Sequence, residues 1–327
     1  MTGLSDSFQR PITYLRVSVT DRCNLRCVYC MPEEGIPLLP MADILRYEEI
    51  ATIVQAAVEL GITKVRLTGG EPLARLGLAD LVAMLSPIQG LDDLCLTTNG
   101  VLLGRQATEL KKAGLRRVNV SLDTLKPERF RRIARRGRLE DVLEGIEAAR
   151  DAGLTPMKVN TVVLRGLNDD ELLDFAALTL KDEWHIRFIE LMPFTDTARR
   201  DGSFISVAAM KERLESLGKL EPYDGHNDGG PARYYRYPGA PGTLGFISPV
   251  TEHFCEGCNR LRLTAQGRLR LCLLSDEEID LRGSLRDGAG PEEIKVLMLA
   301  AVASKPRGHT LGHGPALHEC SMAQIGG

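Results

Sequence analysis

The sequence lacks several features that would assign it to a common class. No apolar run in its 327 residues approaches the roughly 18–20 residues of a membrane-spanning helix. The polar opening MTGLSDSFQR is unlike a signal peptide. A GxGxxG turn and a Walker A loop are both missing, so neither a dinucleotide-binding sheet nor a phosphate cradle of backbone amides is expected. We therefore expect a cytoplasmic protein with no membrane partner.

The chain also lacks a large excess of charge of either sign. Its formal net charge is −3, with 26% charged and 43% hydrophobic residues. This balance argues against a protein that coats nucleic acid, although local basic patches are compatible with it. A chain of this length can bury a large core.

Short strand-like runs alternate with amphipathic helical stretches over the first 190 residues. The stretches YEEIATIVQAAVELG and LEDVLEGIEAARDAG each close on a glycine, which is typical of a helix C-terminus. Six βα repeats predict a parallel sheet with right-handed crossovers, and their spacing favours a barrel or partial barrel. The predicted strands are Thr13–Val19, Lys64–Thr68, Leu94–Thr98, Arg117–Ser121, Met157–Val163 and His185–Leu191.

The pattern changes after about residue 195, which predicts two regions, 1–195 and 196–327. Gly, Pro, Asp and Tyr dominate residues 221–242 and predict irregular connections there. The segment NRLRLTAQGRLRLCL alternates polar and apolar residues around Gln266–Gly267, which predicts an antiparallel hairpin. A helix is expected over about Glu292–Ala303.

Three of the eight cysteines, Cys23, Cys27 and Cys30, follow the first predicted strand with Cys-x3-Cys-x2-Cys spacing. In a cytosolic protein such clusters favour metal or redox use over disulfides. A structural zinc site completed by a distant residue is one interpretation, but no fourth cysteine lies nearby. A 4Fe–4S cluster can take three thiolates and leave one iron open to another ligand.

Other conspicuous residues also follow predicted strands. They are the GGEP segment Gly69–Pro72, Asn99–Gly100, Ser121, Asp123 and Glu190–Met192. Because the carboxyl ends of parallel strands meet on one face of a barrel, the sequence predicts an active site there.

A second trio, Cys255, Cys258 and Cys272, again offers three thiols without a fourth. Zinc binding completed by His253 is one alternative, and a merely buried Cys272 is another. Between these cysteines, Arg260 and Arg262 are two residues apart, which places them on the same face of a strand. That placement favours donors for an anionic or heteroaromatic substrate.

Together these motifs resemble the radical S-adenosylmethionine superfamily, and within it the GTP 3′,8-cyclase family of molybdenum-cofactor biosynthesis. The segments LRVSVTDRCNLRCVYCMP, VRLTGGEPL, LTTNG, LRRVNVSLD, IRFIELMP and FCEGCNRLRLTAQGRLRLCL are similar to that family in order and spacing. The terminal Gly326–Gly327 is similar to its double-glycine tail. The resemblance covers nearly the whole chain and implies a partial (β/α)6 TIM-like barrel with a C-terminal cluster-binding extension.

The resemblance also implies two 4Fe–4S clusters and S-adenosylmethionine as cofactors, with roles for individual residues. The implied ligands are Cys23, Cys27 and Cys30 for the first cluster and Cys255, Cys258 and Cys272 for the second, whose open iron would meet guanine. The implied S-adenosylmethionine contacts are Tyr29, Gly70, Ser121 and Met192. The implied GTP contacts are Arg16, Lys64, Arg66, Thr97, Lys158, Arg187, Arg260 and Arg262. A catalytic role is implied for Arg16, Arg260, Arg262, Gly326 and Gly327.

The reaction implied by the resemblance begins with reductive cleavage of S-adenosylmethionine to a 5′-deoxyadenosyl radical. That radical would remove the hydrogen at C3′ of GTP, after which C3′ would bond to C8 of guanine. The implied partners are GTP, a reductant protein, a downstream cyclic pyranopterin monophosphate synthase and a second copy of the chain in a homodimer. Two alternatives remain at this point: a radical enzyme that modifies peptides, and a non-catalytic zinc or iron–sulfur module.

Overall fold

The computed structural model describes residues 3–193, 202–225, 229–309 and 322–326. Within these ranges twelve strands form one mixed sheet. They are β1 (Tyr14–Ser18), β2 (Lys64–Thr68), β3 (Asp93–Thr98), β4 (Arg117–Ser121), β5 (Lys158–Val163), β6 (His185–Glu190), β7 (Glu221–Pro222), β8 (Arg233–Arg236), β9 (Thr243–Ile247), β10 (Arg260–Leu263), β11 (Arg268–Arg270) and β12 (Glu278–Asp280).

Helices connect most of the strands in the described ranges, and none of these helices combines the length and apolarity that crossing a membrane takes. They are α1 (Tyr47–Glu59), α2 (Leu78–Leu85), α3 (Leu103–Lys112), α4 (Pro127–Ala134), α5 (Leu139–Asp151), α6 (Leu172–Lys181), α7 (Val207–Leu214), α8 (Leu281–Arg286), α9 (Pro291–Ala303) and the short α10 (Met322–Ile325).

The sheet runs in the order β12-β11-β10-β1-β2-β3-β4-β5-β6-β9-β8-β7. Its eight central strands, from β10 to β9, are all parallel. On each side two more strands continue the sheet through antiparallel pairings. The order ends on β12 and β7, so the barrel is partial. The predicted fold class is confirmed.

Alternation along the strands separates the core from the barrel interior. On β1, Leu15 and Val17 are fully buried in the main hydrophobic core, whereas Arg16 between them lines the central cavity. Fully buried Ile50 and Ile53 on α1 belong to that same core. The period-2 pattern of the strand therefore assigns apolar side chains to the core and polar ones to the cavity.

The predicted strands agree with the observed ones to within one residue at each end, and the predicted hairpin is the β10–β11 pair. The expectation of irregular structure throughout residues 221–242 is wrong in part, because β7 and β8 lie there. The sequence of β8, RYYR, does not alternate polar with apolar residues, so no strand was predicted there. The ring of Tyr234 on β8 lies against Gly245 of β9, where no side chain obstructs it.

The C-terminal region also supplies two parallel strands that the sequence analysis did not assign to the barrel. β9 pairs with β6, and β10 pairs with β1. A division of the chain at about residue 195 remains a prediction, but residues on both sides of it build the same sheet.

Replacement of Phe188 tests how strongly β9 is held to the barrel. Phe188 on β6 is fully buried and packs its ring 6.0 Å from Phe246 of β9 and 6.4 Å from Phe175 of α6. We expect Phe188→Ala to lower the free energy of unfolding by about 3–5 kcal/mol, measured by urea denaturation of the apo-protein. Leu180→Ala on exposed α6 surface should cost less than about 1 kcal/mol. Equal losses in the two variants would contradict this packing argument.

Candidate active site

A cavity of about 350 Å³ lies inside the partial barrel and reaches the carboxyl ends of its parallel strands. Most of the residues predicted from the sequence line it. They are Arg16, Cys23, Cys27, Tyr29, Cys30, Lys64, Arg66, Gly70, Thr97, Ser121, Arg187, Met192, Cys255, Cys258, Arg260, Arg262 and Cys272. The cavity therefore brings together both cysteine trios and all of the predicted cations except Lys158.

Three predicted residues stand apart from that lining. Lys158 is buried at the start of β5, with its ammonium 5.2 Å from the ring centroid of Tyr234. Gly326 contacts two of the lining arginines through its carbonyl. Gly327 lies outside the described residues.

The first cysteine trio occupies the loop after β1. Cys30 and Met31 both donate their backbone N–H to the Cys27 carbonyl, which forms a tight turn. The Cys23 sulfur accepts the N–H of Leu25 at 3.4 Å and faces the side-chain amide of Asn99 at 3.9 Å. Donors to sulfur are typical of cysteines that ligate iron–sulfur clusters.

Burial makes thiolates costly in this loop. It raises the pKa of Cys23 to about 11 and that of Cys27 well above its usual value, with Asp123 and Cys30 adding to the effect on Cys27. A metal centre would reverse this cost, because its positive charge stabilises thiolates. Within the described ranges, no three His, Cys, Asp or Glu side chains converge closely enough to enclose a single metal ion. All three thiols line the same cavity, and three thiolates are a set that a 4Fe–4S cluster can take.

The second trio lies beside β10 and β11, the two strands that precede β1 in the sheet order. Cys258 donates its N–H to the Cys255 carbonyl, and the Cys272 sulfur accepts the N–H of Leu274 at 3.5 Å. His253, the alternative zinc ligand, is not part of the cavity lining, and its Nδ1 lies 3.0 Å from the Pro249 carbonyl oxygen.

A buried lysine accompanies this second trio. The Lys305 ammonium donates hydrogen bonds to two backbone carbonyls. One belongs to Arg260, the first residue of β10, and the other to Leu271, the residue before Cys272. Burial raises the pKa of Cys258, but the positive charges of Lys305 and Arg260 outweigh it and leave that pKa below its ordinary value. One member of the trio is thus predisposed to the thiolate form that metals bind.

Strand register arranges the cations in rows. Arg16 of β1 pairs with Arg66 of β2 on one side and with Arg262 of β10 on the other. Two residues earlier on the same three strands, Tyr14 is flanked in the same way by Lys64 and Arg260, which gives a second, lower row. Side chains at equivalent positions of neighbouring strands point to the same face. The guanidinium groups of Arg16, Arg66 and Arg262 are therefore adjacent, and these three residues form the upper row.

Burial and mutual repulsion act on these cations. Burial lowers the pKa of Arg16 to about 10, with repulsion from Arg66 and Arg260 contributing, and lowers that of Arg262 well below its usual range. A polyanion bound among these groups would relieve that repulsion through charge-assisted hydrogen bonds. The cavity is consequently suited to a phosphate-bearing substrate.

Polar residues between the cations fix their orientation. Arg66 donates to the Thr97 hydroxyl at 3.4 Å. Fully buried Asn119 lies between Arg66 and Arg187, and with its amide oxygen turned toward them it accepts from Arg187 Nη2 at 2.8 Å. Asn119 was not predicted from the sequence, since its partners Arg66 and Arg187 lie on other strands.

Buried carboxylates hold the loops at the cavity mouth. Glu71 of the GGEP segment accepts from the backbone of Leu73 and Asn99 and from the Thr98 hydroxyl, so it joins the loops after β2 and β3. Gly70 packs so closely on the Arg22 carbonyl of the cysteine loop that a side chain has no room there. The glycines of GGEP therefore allow two catalytic-face loops to touch.

Glu190 has the same function at the end of β6. It is fully buried and accepts the N–H groups of Val207, Val250 and Thr251 at 2.9–3.0 Å. These contacts fasten the segment that precedes Cys255 to the barrel.

Gly326, the last described residue, contacts residues that line the cavity. The Gly326 carbonyl accepts hydrogen bonds from Thr68 and Arg262 at 3.2 Å and from Arg16 at 3.4 Å. Gly326 has φ of +78°, and a Cβ atom there would lie 3.0 Å from Ser18 Cβ and Thr68 Oγ1. Both its conformation and its surroundings therefore require glycine.

Tyr29 and Asp123 form a buried pair beside the first trio. The Tyr29 hydroxyl donates to Asp123 Oδ2 at 2.7 Å, and the Val162 N–H donates to Asp123 Oδ1 at 2.8 Å. Burial raises the pKa of Asp123 to about 6 despite both hydrogen bonds.

This shifted carboxyl makes the stability of the apo-protein depend on pH. Between about pH 4 and pH 6 folded Asp123 keeps a proton that the unfolded chain has lost, so the free energy of unfolding falls as pH rises. Asp123→Asn cannot titrate, and its amide can pair with both Tyr29 and Val162. Between about pH 4 and pH 7 the free energy of unfolding of the wild type should fall by about 3 kcal/mol relative to that of this variant, measured by urea denaturation. The exposed replacement Asp174→Asn should leave the pH profile parallel to that of the wild type; a parallel profile for Asp123→Asn would contradict the assignment.

Two sequence profiles of known families match most of the chain. A sequence profile of the Radical SAM superfamily matches residues 17–179, and a profile described as Molybdenum Cofactor Synthesis C matches residues 184–311. The fold is similar to Streptococcus suis SuiB bound to S-adenosylmethionine, with a TM-score of 0.59 and 15% identity over 86% of this chain and 67% of that one. At this identity the likeness concerns the fold alone.

Curated relatives match over the full length. The chain is 52% identical to a GTP 3′,8-cyclase of Pelotomaculum thermopropionicum and 51% identical to one of Moorella thermoacetica, in each case over 99% of this chain and 100% of the relative. The order of the motifs, the paired cysteine trios and this similarity lead to one conclusion: the chain belongs to the GTP 3′,8-cyclase family of the radical S-adenosylmethionine superfamily.

Proposed function

We propose that this protein converts GTP to (8S)-3′,8-cyclo-7,8-dihydroguanosine 5′-triphosphate, the first step of molybdenum-cofactor biosynthesis, while S-adenosylmethionine is cleaved reductively. The observation that carries the proposal is the convergence of two cysteine trios on one cavity with rows of cations between them. A substrate anchored by those cations lies between two metal centres.

Cys23, Cys27 and Cys30 are proposed to hold the first 4Fe–4S cluster. When bound, that cluster supplies the electron that cleaves S-adenosylmethionine at its sulfonium. The residues of this chain position the cofactor: Tyr29, Gly70, Ser121 and Met192 are its proposed contacts, and the first three lie on loops or strand ends braced by Asp123 and Glu71.

GTP binding is assigned to the cations of β1, β2, β5, β6 and β10. The upper row of guanidinium groups, Arg16, Arg66 and Arg262, offers forked donors that match phosphate oxygens. Thr97 and Asn119 orient Arg66, and Asn119 also orients Arg187. Buried Lys158 is proposed to contact GTP too, which requires its ammonium to turn from Tyr234 toward the cavity.

A second 4Fe–4S cluster is proposed on Cys255, Cys258 and Cys272, facing the guanine. The carbonyl contacts of Lys305 hold the start of β10, just after Cys258, to the residue before Cys272. The proposed role of this trio is to fix the base so that its C8 atom faces C3′ of the ribose.

The remaining partners follow from the reaction. A one-electron reductant protein must supply electrons, and a cyclic pyranopterin monophosphate synthase must consume the strained product. Reduced thiols suit the cytoplasm, where glutathione and thioredoxin maintain them. A homodimer is proposed by analogy with the family.

An anaerobic turnover assay tests the proposed function. Iron and sulfide are reconstituted, S-adenosylmethionine, GTP and a reductant are added, and products are followed by mass spectrometry. We expect 5′-deoxyadenosine to form in step with an isomer of GTP in which C3′ is bonded to C8. If 5′-deoxyadenosine forms without GTP consumption, the radical chemistry stands and a peptide substrate replaces GTP. A preparation that binds zinc instead of iron and yields neither product would overturn the proposal.

Two triple variants separate the metal centres. Replacement of Cys23, Cys27 and Cys30 by alanine should abolish 5′-deoxyadenosine formation. Replacement of Cys255, Cys258 and Cys272 should allow cleavage of S-adenosylmethionine and suppress the cyclic product. If the second replacement left product formation unchanged, the second trio would have no place in the reaction.

Gly326 provides a test of the tail. Gly326→Ala places a methyl group against Ser18 and Thr68 and forces a positive φ on alanine, so the carbonyl should leave the two arginines. We expect kcat for the cyclic product to fall by about 10-fold or more while S-adenosylmethionine affinity is unchanged, since a misplaced group near reacting atoms has a large effect. Gly239→Ala is the matched control, because Gly239 has φ of +75° but no atom within 4 Å of its added Cβ. Normal turnover by Gly326→Ala would remove the tail from the mechanism.

A further inference from the structure

Helix α4 contacts the loop of the first cysteine trio through its C-terminal end. Two carbonyls of its last turn, those of Ile133 and Ala134, accept the N–H groups of Val28 and Arg26 at 3.0 and 2.9 Å. These donors flank Cys27 in sequence. The last carbonyls of a helix have no partner within the helix, and here the N–H groups of the cysteine loop supply partners for two of them. The helix in turn supports the cysteine loop.

Arg135, which ends this helix, returns the contact. Its Nη1 atom donates to the carbonyls of Arg26 and Met31, both at 3.2 Å. Both backbone polar groups of Arg26 are thus hydrogen-bonded to the end of α4: its N–H donates to the Ala134 carbonyl, and its carbonyl accepts from Arg135. The two accepting carbonyls lie on either side of Cys27 and Cys30, so one guanidinium spans this half of the loop.

The backbone of Arg135 is in the left-handed region, with φ of 60° and ψ of −21°. Among the described residues, only Gln9 and Arg135 have positive φ without being glycine. Glycine is the usual residue at a left-handed helix end, and other residues are strained there. A strained residue whose side chain bonds a functional loop is a typical sign that function maintains the strain.

We infer that Arg135 is a positioning residue for the first cluster, which it serves by clamping the Cys27–Cys30 half of the loop onto the end of α4. The inference rests on the proposed function, since it requires a cluster on Cys23, Cys27 and Cys30. Packing supports it: Cys27 lines a small cavity of about 30 Å³ together with Phe130, Ile133 and Ala134 of the same helix. The orientation of the Cys27 sulfur therefore depends on how the loop meets α4.

The test uses a substitution whose effects on folding and on cluster retention have opposite signs. Arg135→Gly relieves the backbone strain, so the apo-protein should melt at the same temperature as the wild type or higher. It also removes the guanidinium, so the first cluster should be lost to a chelator about 10-fold faster, as for other residues that support metal ligands. Loss is followed by cluster absorbance and by iron per chain, and the EPR change of the reduced protein on adding S-adenosylmethionine should weaken in parallel.

Two further variants complete the experiment. Arg135→Asn also tolerates positive φ but cannot span the two carbonyls, so it should behave like Arg135→Gly. Gln9→Gly relieves the same kind of strain away from the loop and should leave cluster retention unchanged. If both Arg135 variants kept the first cluster as long as the wild type does, the inference would be overturned and the proposed function would stand. Apo-variants that fail to fold would have the same consequence. A wild type that assembles no cluster would overturn the proposed function, and the inference with it.

Discussion

The concentration of buried positive charge inside the barrel is the constraint around which the rest of the structure is arranged. Neighbouring strands place guanidinium groups in register, and burial together with mutual repulsion lowers the pKa of Arg16 and Arg262. Such an interior opposes folding and favours an anion, so substrate affinity is obtained at the expense of stability. The apolar faces of the same strands offset that cost, because alternate residues such as Leu15 and Leu261 belong to a continuous hydrophobic core.

Buried carboxylates complement this arrangement at the mouth of the barrel. Glu71 and Glu190 do not neutralise the interior cations in the contacts described above; they accept backbone N–H groups and fasten loops. These two carboxyl groups therefore serve to join loops, and the guanidinium row of Arg16, Arg66 and Arg262 is available to a substrate. The result is a cavity with a rigid rim, which is what a reaction with free-radical character demands of its surroundings.

Six of the eight parallel strands could be predicted because each is a short β-rich run between amphipathic helices, and their observed bounds differ from the predicted ones by at most one residue. The cysteine trios, Arg260 and Arg262 could be identified because their spacing has few structural explanations. Register between distant strands could not be predicted: nothing local indicates that Arg262 pairs beside Arg16, or that β9 completes the sheet next to β6. Asn119, Lys305 and Arg135 were missed for the same reason, since each acts on residues far away in sequence.

The position of β10 has a consequence for how the protein is made. β1 is synthesised long before one of its two neighbours in the sheet, because 246 residues separate the paired Leu15 and Leu261. Until β10 has been made β1 therefore presents an unpaired edge, and β6 does so for the shorter interval before β9 is made. Unpaired strand edges are where nascent chains associate wrongly. Translation speed and chaperone supply, rather than the thermodynamic stability of the finished barrel, are expected to set the yield of protein in the cell.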